Sequence, residues 1–171
     1  MSMDIILRAP EPEDLGIMLD IENDSDLWIH NGDNTGPYSR YQMKQYIATN
    51  TNDIFTDKQL RLMIVLPDGK VAGIVDVFDF DVRNNRAEVG IVVLSEFRGK
   101  GIGRNALRMI EEHCFGFLSM NQLYAYVRCD NEAGRETFLS CGFTETAVLK
   151  LWIRRGQQYY DVCMFQKIAD R

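Results

Sequence analysis

The sequence predicts one α/β domain built on a mixed β-sheet, and three observations support this. The chain has 171 residues, which is the length of one domain. Its composition of 46% hydrophobic and 26% charged residues is typical of a globular protein rather than a disordered or coiled-coil chain. Short β-branched runs alternate with amphipathic stretches of helical period. Their order, βααβββαβαββ, gives about seven strands and four helices.

The N-terminal part predicts one strand and two helices. Ile5–Arg8 is a short apolar run that ends at a proline-rich turn. Glu11–Asp24 has apolar residues at helical spacing and acidic residues in its first turn, which favour a helix start. Residues 24–38 are polar and rich in glycine, asparagine and aspartate, so we expect a loop. Ser39 is a suitable N-cap for a second helix that extends to about Thr49.

The middle of the chain predicts a hairpin, a third strand and a long helix. Leu60–Leu66 and Val71–Asp79 are strand-like, and the turn residues Pro-Asp-Gly-Lys join them. Arg86–Leu94 contains a continuous apolar run, which predicts a strand buried on both faces. Gly103–Leu118 carries apolar residues at helical spacing, so we expect the longest helix there.

The last part predicts a strand, a helix and a closing hairpin. Leu123–Arg128 is strand-like. Glu132–Ser140 is expected to be a helix that ends at Gly142, a residue suited to the left-handed conformation of a C-terminal cap. Thr146–Ile153 and Tyr159–Phe165 are expected to form a hairpin around the turn Arg-Arg-Gly-Gln.

Charge and the lack of targeting features limit the expected partners. The net charge of −6 argues against a nucleic-acid partner, which normally meets a basic surface. No apolar run reaches the roughly 18 residues of a membrane span, and the N-terminus has no signal-peptide pattern. The four cysteines include no closely spaced pair that would indicate a metal or redox site. We therefore expect a cytoplasmic protein with no metal, no nucleic-acid partner and no membrane association.

The first 35 residues are strongly acidic. They contain nine aspartates and glutamates against the single base Arg8. This acidity is consistent with an exposed helix face, or with an electric field that draws a cationic substrate toward one side of the protein. Trp28, Asp33 and Tyr38 lie in or beside the polar loop and are the candidate residues of an amine pocket.

A glycine-rich segment between the buried strand and the long helix predicts an anion site. Its sequence is Arg-Gly-Lys-Gly-Ile-Gly, from Arg98 to Gly103, and the next residue is the base Arg104. Closely spaced glycines let backbone N–H groups face one concavity at a helix N-terminus, where the helix dipole favours negative charge. The spacing fits neither a P-loop nor a dinucleotide fingerprint. Taken alone, the segment is also compatible with a flexible turn.

Two segments together resemble the GNAT acetyltransferase superfamily. Residues 95–103 resemble its pyrophosphate loop, Arg/Gln-x-x-Gly-x-Gly/Ala, and Asn131-x-Ala133 with Gly142-Phe143 resembles its second segment, N-x-x-A…Y-x-x-x-G-F. The resemblance implies one GNAT-like domain over residues 1–171, with acetyl-CoA as co-substrate and a primary amine as acceptor. Within the superfamily, residues 86–88 and 156–161 look most like spermidine/spermine and ribosomal-protein-type acetyltransferases. Such relatives commonly self-associate, so the resemblance also implies a homo-oligomer.

The resemblance implies a role for specific residues. Glu88 would be the general base that acts through water, although a salt bridge with Arg86 or Arg83 is an alternative role. The backbone of one strand would pair with the pantetheine arm, the glycine-rich loop would hold the pyrophosphate, and the start of the last helix would contact the co-substrate near its sulfur. These residues are Ile91, Val92 and Val93 on the strand, Arg98, Gly99, Lys100, Gly101, Ile102, Gly103 and Arg104 in the loop, and Asn131 on the helix.

One position departs from the superfamily pattern. Phe138 stands where polyamine-type relatives place the tyrosine that protonates the leaving thiolate, and phenylalanine has no proton to donate. Ser140 is expected to point away from the same helix face. The thiolate then leaves with the help of solvent, or another element supplies the donor.

The leading hypothesis is an N-acetyltransferase for a polyamine, diamine or similar small cationic amine. A protein N-terminus of the ribosomal type or an amino-acid-like metabolite is the alternative acceptor. A catalytically weak acyl-CoA-binding module is the alternative from another class, because position 138 lacks the tyrosine.

Overall fold

A computed structural model describes residues 3–27 and 35–170. The strands of these residues form one mixed sheet of seven strands in the order β1-β2-β3-β4-β5-β7-β6. The predicted mixed-sheet α/β fold is confirmed. The strands, numbered in chain order, are β1 (Ile6–Arg8), β2 (Leu60–Val65), β3 (Val71–Asp81), β4 (Arg86–Val93), β5 (Gln122–Arg128), β6 (Thr144–Arg155) and β7 (Gln158–Ile168).

The helices lie on both faces of the sheet and follow the predicted order, with three differences. The first predicted helix begins as a 3-10 turn, Pro12–Asp14. The long predicted helix changes after Glu111 into a π-helix, Glu112–Phe117. A short helix in the middle of the chain was not predicted, because one turn is too short to show a periodic pattern. The helices are α1 (Leu15–Glu22), α2 (Arg40–Thr49), the short α3 (Ile54–Asp57), α4 (Ile102–Glu111) and α5 (Glu132–Ser140).

The predicted cap of α2 is confirmed. The Ser39 hydroxyl accepts a hydrogen bond from the Gln42 backbone N–H at 3.1 Å, and the Gln42 side chain accepts one from the Ser39 backbone N–H at 2.8 Å. This reciprocal pair satisfies two donors that a helix start leaves unpaired. It fixes where the chain enters α2 after the loop.

The pairing of β4 with β5 is the irregular point of the sheet. These strands are parallel and pair only over the three positions from Arg86–Gln122 to Glu88–Tyr124. Beyond Glu88, β4 keeps its antiparallel pairing with β3, and β5 keeps its pairing with β7. The two central strands therefore part like a fork, whose closed end lies at Glu88 and Tyr124.

Two apolar cores cover the two faces of the sheet. One core includes residues of α4 and α5 packed on β4 and β5, and the other includes residues of α1 and α2 packed on β2 and β3. Ala87 and Val89 of β4 belong to the first core, as do Leu123, Ala125 and Val127 of β5. Because side chains alternate along a strand, the intervening residues face the side of α1 and α2.

A buried ion pair connects α4, α5 and β7. The Lys167 ammonium donates to the Glu111 carboxylate at 2.5 Å and to the Cys141 carbonyl at the end of α5 at 2.6 Å. The other Glu111 carboxylate oxygen is buried without a hydrogen-bond partner. Such a pair adds little net stability, but breaking it is costly because the remaining charge stays buried.

Replacing Lys167 with Met should lower the free energy of unfolding by about 3 kcal/mol near pH 8, because the Glu111 carboxylate loses its counter-charge. Burial already raises the pKa of Glu111 in the intact protein, although Lys167 opposes the shift. The deficit should shrink as pH falls toward the ordinary carboxyl pKa of about 4.3, since protonated Glu111 needs no cation.

Urea unfolding at pH 5 and pH 8 measures this difference. The double variant Lys167→Met/Glu111→Leu is the control, and it should recover most of the lost stability because both charges are removed together. A Lys167→Met protein that is as stable as the wild type at pH 8 would contradict the role of this pair.

Candidate active site

The glycine-rich loop forms an uncapped helix start. Gly99 and Gly101 have φ values of 74° and 77°, a left-handed conformation that side chains rarely adopt. Helix α4 begins after Gly101 with no side-chain cap and no acidic residue in its first turn. By contrast, Ser39, Asp53 and Asn131 cap α2, α3 and α5. The first N–H groups of α4 therefore have no side-chain cap, a geometry that is compatible with the predicted anion site.

A cleft of about 550 Å³ begins at this loop and runs into the fork between β4 and β5. Most of the residues predicted to hold the co-substrate line it. Within the described part of the chain, these are Ile91, Val92, Val93, Arg98, Gly99, Gly101, Ile102, Gly103, Arg104 and Asn131.

Lys100 is not among the residues that line the cleft. Its ammonium donates to the Glu96 carbonyl at 3.1 Å and lies 5.6 Å from the centre of the Phe97 ring. Arg98 lines the cleft, but its Nε donates to the Val93 carbonyl at 2.9 Å. The loop therefore uses parts of its own basic side chains to hold its shape, and backbone N–H groups remain its main donors toward an anion.

Asn131 has a structural role that the sequence motif does not reveal. Its side-chain oxygen accepts a hydrogen bond from the Gly134 backbone N–H at 3.0 Å and so caps α5. Counted from Asn131, the alanine of the superfamily pattern falls on Gly134, not on Ala133. A Cβ at Gly134 would lie 2.6 Å from Asn131 Nδ2, so glycine allows the amide to lie against the helix start.

Phe138 belongs both to the core and to the cleft. Its side chain is buried, and its ring contacts Phe143 edge-on at 5.1 Å and stacks near Phe165 at 5.8 Å. It also lines the cleft. Ser140 lines the cleft as well, which corrects the expectation that it points away, but its hydroxyl donates to the Thr137 carbonyl at 2.9 Å.

Glu88 lies at the closed end of the fork. It pairs with Phe78 on β3 and with Tyr124 on β5, and it is not among the cleft-lining residues of the described chain. The negative charge of its carboxylate contributes to raising the pKa of both Tyr124 and Tyr126. Because Glu88 does not itself line the cleft, its position is compatible with the predicted transfer of a proton through a water molecule.

Sequence reasoning did not identify several polar cleft residues, among them Tyr126 and Arg128. The Arg128 guanidinium is paired with Asp130 and lies 3.9 Å from the centre of the Tyr160 ring. A usable signal was present, because Tyr124, Tyr126 and Arg128 alternate with buried apolar residues on β5. Without knowledge of the fork, that alternation indicates only an ordinary half-buried strand.

The family model described as acetyltransferase (GNAT) domain matches residues 4–144. The chain belongs to the GNAT acetyltransferase family. Its members are enzymes, and acetyl-CoA is the co-substrate. The uncapped α4 start and the cleft that leads from it into the fork fit an elongated anionic molecule of this kind.

Two relatives in sequence belong to different types of N-acetyltransferase. Spermidine N(1)-acetyltransferase of Escherichia coli (strain K12) is 26% identical over 155 residues, which are 85% of this chain and 83% of that protein. A ribosomal N-acetyltransferase-like protein of Bacillus subtilis (strain 168) is 28% identical over 145 residues, which are 82% of this chain and 78% of that protein.

Solved structures of spermidine N-acetyltransferase from Vibrio cholerae share the fold. A complex with CoA and spermine superimposes with a TM-score of 0.84 at 21% identity, and covers 96% of this chain and 95% of that one. A dodecameric form superimposes with a TM-score of 0.79 at 23% identity, and covers 96% and 93% of the two chains. At these identities the likeness establishes the GNAT fold and leaves the acceptor open.

The predicted amine-pocket residues are not brought to the cleft. Tyr38 lines a separate pocket of about 300 Å³, in which Glu22 and Arg61 are also found. Trp28 and Asp33 lie outside the described residues. Within residues 3–27 and 35–170, no group of three or more histidine, cysteine or acidic side chains is arranged to hold a metal, and no helix could span a membrane.

Several acids of the N-terminal segment are paired with arginines. Asp14 accepts two hydrogen bonds from Arg8, and Glu22 lies 2.7 Å from the buried Arg61. Hydrogen bonds from Arg8 and from the Glu11 backbone lower the pKa of Asp14, although burial alone would raise it. These pairs reduce the part of the acidic segment that can attract a distant cation.

Two variants of Asn131 should distinguish its role as the N-cap of α5 from its predicted contact with acetyl-CoA. Asn131→Ala removes the cap and should cost about 1 kcal/mol of stability. Asn131→Asp keeps a capping oxygen but has no amide N–H, so it should retain stability and bind acetyl-CoA about tenfold more weakly. Thermal unfolding and calorimetric titration measure the two effects. If Asn131→Asp binds acetyl-CoA like the wild type, the amide does not contact the co-substrate.

The variant Phe138→Tyr tests whether the edge of the ring faces the cleft or the apolar core. We expect an unchanged melting temperature and an equal or higher kcat, because the ring lines the cleft and the new hydroxyl can project into it. A hydroxyl buried without a partner would cost about 1–3 kcal/mol, which is several degrees in a chain of this size. The control is Phe143→Tyr, whose ring is buried away from the cleft and should lose stability.

Scanning calorimetry and steady-state kinetics on both variants decide the question. A Phe138→Tyr protein that melts as low as Phe143→Tyr, with unaltered turnover, would show that position 138 serves only the core.

Proposed function

We propose that this GNAT enzyme transfers the acetyl group of acetyl-CoA to a primary amine of a polyamine, a diamine or a similar small cationic amine. The main observation in support of this substrate class is the negative charge of carboxylates at the closed end of the fork. Burial, followed by the carboxylates of Glu88 and Asp79, raises the pKa of Tyr124 to about 12. Carboxylates that disfavour a phenolate favour an ammonium group at the same place.

The spermidine acetyltransferase relatives support the same substrate class. The Escherichia coli relative acts on spermidine by its name, and a Vibrio cholerae structure was determined with spermine bound. The rings of Tyr124 and Tyr126 pack edge to face with their centres 5.8 Å apart, and Tyr124 pairs with Glu88 across the two strands. Aromatic faces attract cations, so these rings complement the carboxylate.

The co-substrate occupies the cleft in this proposal. Backbone N–H groups at the start of α4 hold the pyrophosphate, and the pantetheine arm runs along the β4 edge over residues 91–93. That edge has no β5 partner, so it can pair with an extended molecule as a strand would. Asn131 contacts the arm near its sulfur. The reactive end then lies near the closed end of the fork.

Glu88 removes the proton from the acceptor in this scheme. An alkylammonium with a pKa of about 10.4 is neutral in only about one molecule in 2,500 at pH 7. Glu88 takes the proton through a water molecule, and the amine nitrogen attacks the thioester carbonyl carbon. A carbon–nitrogen bond forms, the carbon–sulfur bond breaks, and the electron pair of that bond leaves on sulfur.

A protein N-terminus is the second candidate acceptor, because the Bacillus subtilis relative is named for ribosomal N-acetylation. We also propose that the chain is one acetyltransferase domain, that the protein works in the cytoplasm, and that it forms a homo-oligomer. The dodecameric form of a structural relative supports the last point.

Release of thiol from acetyl-CoA with a panel of amines tests the acceptor class. The panel contains spermidine, spermine, putrescine, a free amino acid and a peptide with a free N-terminus. We expect kcat/KM for the polyamines to exceed that for the peptide at least about tenfold. A preference for the peptide would support the ribosomal type instead, and specific acetyl-CoA binding without turnover of any amine would favour the weak binding module.

Glu88→Gln should lower kcat/KM about 100-fold at pH 7 if Glu88 is the general base. The loss should shrink as pH rises toward 10, because the amine then deprotonates without help. Asp79→Asn is the matched control. Asp79 is an exposed carboxylate that, like Glu88, contributes to raising the pKa of Tyr124, but it does not lie at the closed end of the fork. It should raise KM for the amine without changing the shape of the pH profile. A Glu88→Gln profile parallel to the wild type would exclude the base role.

A further inference from the structure

Helix α5 offers no proton to the leaving sulfur. Phe138 has none, and the hydroxyls of Thr137 and Ser140 donate to the helix carbonyls of Ala133 and Thr137 at 2.9 Å. The Cys141 thiol donates to the Arg104 carbonyl, and burial raises its pKa. The donor must therefore come from another element or from solvent.

Tyr126 occupies the facing wall of the cleft. It lines the cleft from β5, and it follows by two residues the last ladder pair, Glu88–Tyr124. Continued by two residues, the parallel register places it opposite Gly90 of β4. Because residue 90 is glycine, β4 has no side chain at this position, and the nearest atom to a Cβ built there belongs to the Phe78 ring of β3, at 3.4 Å.

The hydroxyl of Tyr126 differs from those of α5. In the part of the chain that the structure describes, no hydrogen bond ties it to another group. Phe138 packs into the core on the side of α4 and α5, whereas Tyr126 alternates with the core residues Ala125 and Val127 and faces the opposite side. The fork thus separates the apolar wall of the cleft from a wall with a phenol.

We propose that Tyr126 donates the proton that converts the departing CoA thiolate into the thiol. As the carbon–sulfur bond breaks, its electron pair remains on sulfur and accepts the phenol proton, leaving a phenolate. Glu88 passes the first proton, taken from the ammonium, to solvent water. The attacking nitrogen loses a second proton as the amide forms, and Glu88 takes this proton and returns it to the phenolate through water. The cycle closes with an amide, a thiol, one proton released to water and both side chains restored, and it needs no other reactant.

The surroundings keep the phenol protonated at neutral pH. Burial raises the pKa of Tyr126, and the Glu88 carboxylate raises it further, whereas Arg86 opposes the shift. On β7, Tyr126 faces the uncharged Met164. The nearby titratable and charged groups are Glu88 and Arg86 on β4, Tyr124 and Arg128 on β5, Asp130 after β5, and Tyr160 on β7.

The proposal rests on acetyl transfer from acetyl-CoA and not on which amine accepts the group. Tyr126→Phe removes only the hydroxyl, and Tyr159→Phe makes the same change on an exposed ring of β7 that does not line the cleft. With the best amine of the panel, Tyr126→Phe should lower kcat about 100-fold, the lower end of the general-acid range, because a thiol of pKa about 8.5 is already a fair leaving group. Tyr159→Phe should stay within about threefold of the wild type.

Binding of product CoA supplies a readout that needs no acceptor. A phenol that donates to sulfur stabilises the thiolate, so between pH 7 and about pH 9.5 the wild type should gain about tenfold in CoA affinity over Tyr126→Phe. Desulfo-CoA, which has no thiol, should show no such gain, and Tyr159→Phe should bind CoA like the wild type. Calorimetry gives the affinities, and melting curves show that the variants are folded.

Two results would overturn the proposal. One is a Tyr126→Phe enzyme with kcat within about threefold of the wild type. The other is a lower kcat without a pH-dependent difference in CoA affinity, which would assign the phenol to packing or to the acceptor. If no polyamine is turned over but the CoA binding difference is found, the acceptor assignment fails and the donor assignment stands.

Discussion

The parting of β4 and β5 is the constraint on which the site depends. Each strand keeps a long ladder with its outer neighbour, β3 or β7, so the sheet remains continuous while the inner edges separate. The inner edges then carry backbone N–H and C=O groups that need partners from outside the sheet. An extended molecule can supply those partners, and the groups that act on it must stand near the closed end of the fork.

The helices that frame the cleft meet it with their N-termini, and α4 packs against both β4 and α5 there. A Cβ at Gly103 would already touch Val93 on β4 at 3.5 Å and Thr137 on α5 at 3.9 Å, so the three elements are closely packed there. At the far ends of the helices, the Lys167–Glu111 pair connects α4, β7 and the end of α5. A buried charge pair with one unsatisfied oxygen is a weak source of stability, but it specifies one relative placement of these elements.

The two walls of the cleft have different roles in the proposed reaction. The wall from α5 is apolar at Phe138 and is part of the aromatic cluster with Phe143 and Phe165. The wall from β5 carries Tyr126, and Glu88 lies at the end where the walls join. The Glu88 carboxylate contributes to raising the pKa of Tyr126, so the two groups of the proposed proton transfer influence each other.

The sequence by itself predicted the order of the strands and of the longer helices, an anion site at the glycine-rich loop, and the family. These follow from local signals, because periodicity, caps and glycine spacing act between residues close in the chain. Tertiary structure decided which side chains reach the cleft. Lys100 turns back to the Glu96 carbonyl, Tyr38 lies in another pocket, and Tyr126 enters the cleft because β5 leaves β4 after Tyr124. No local pattern indicates that separation, because β4 and β5 are distant in the chain and come together only in the folded sheet.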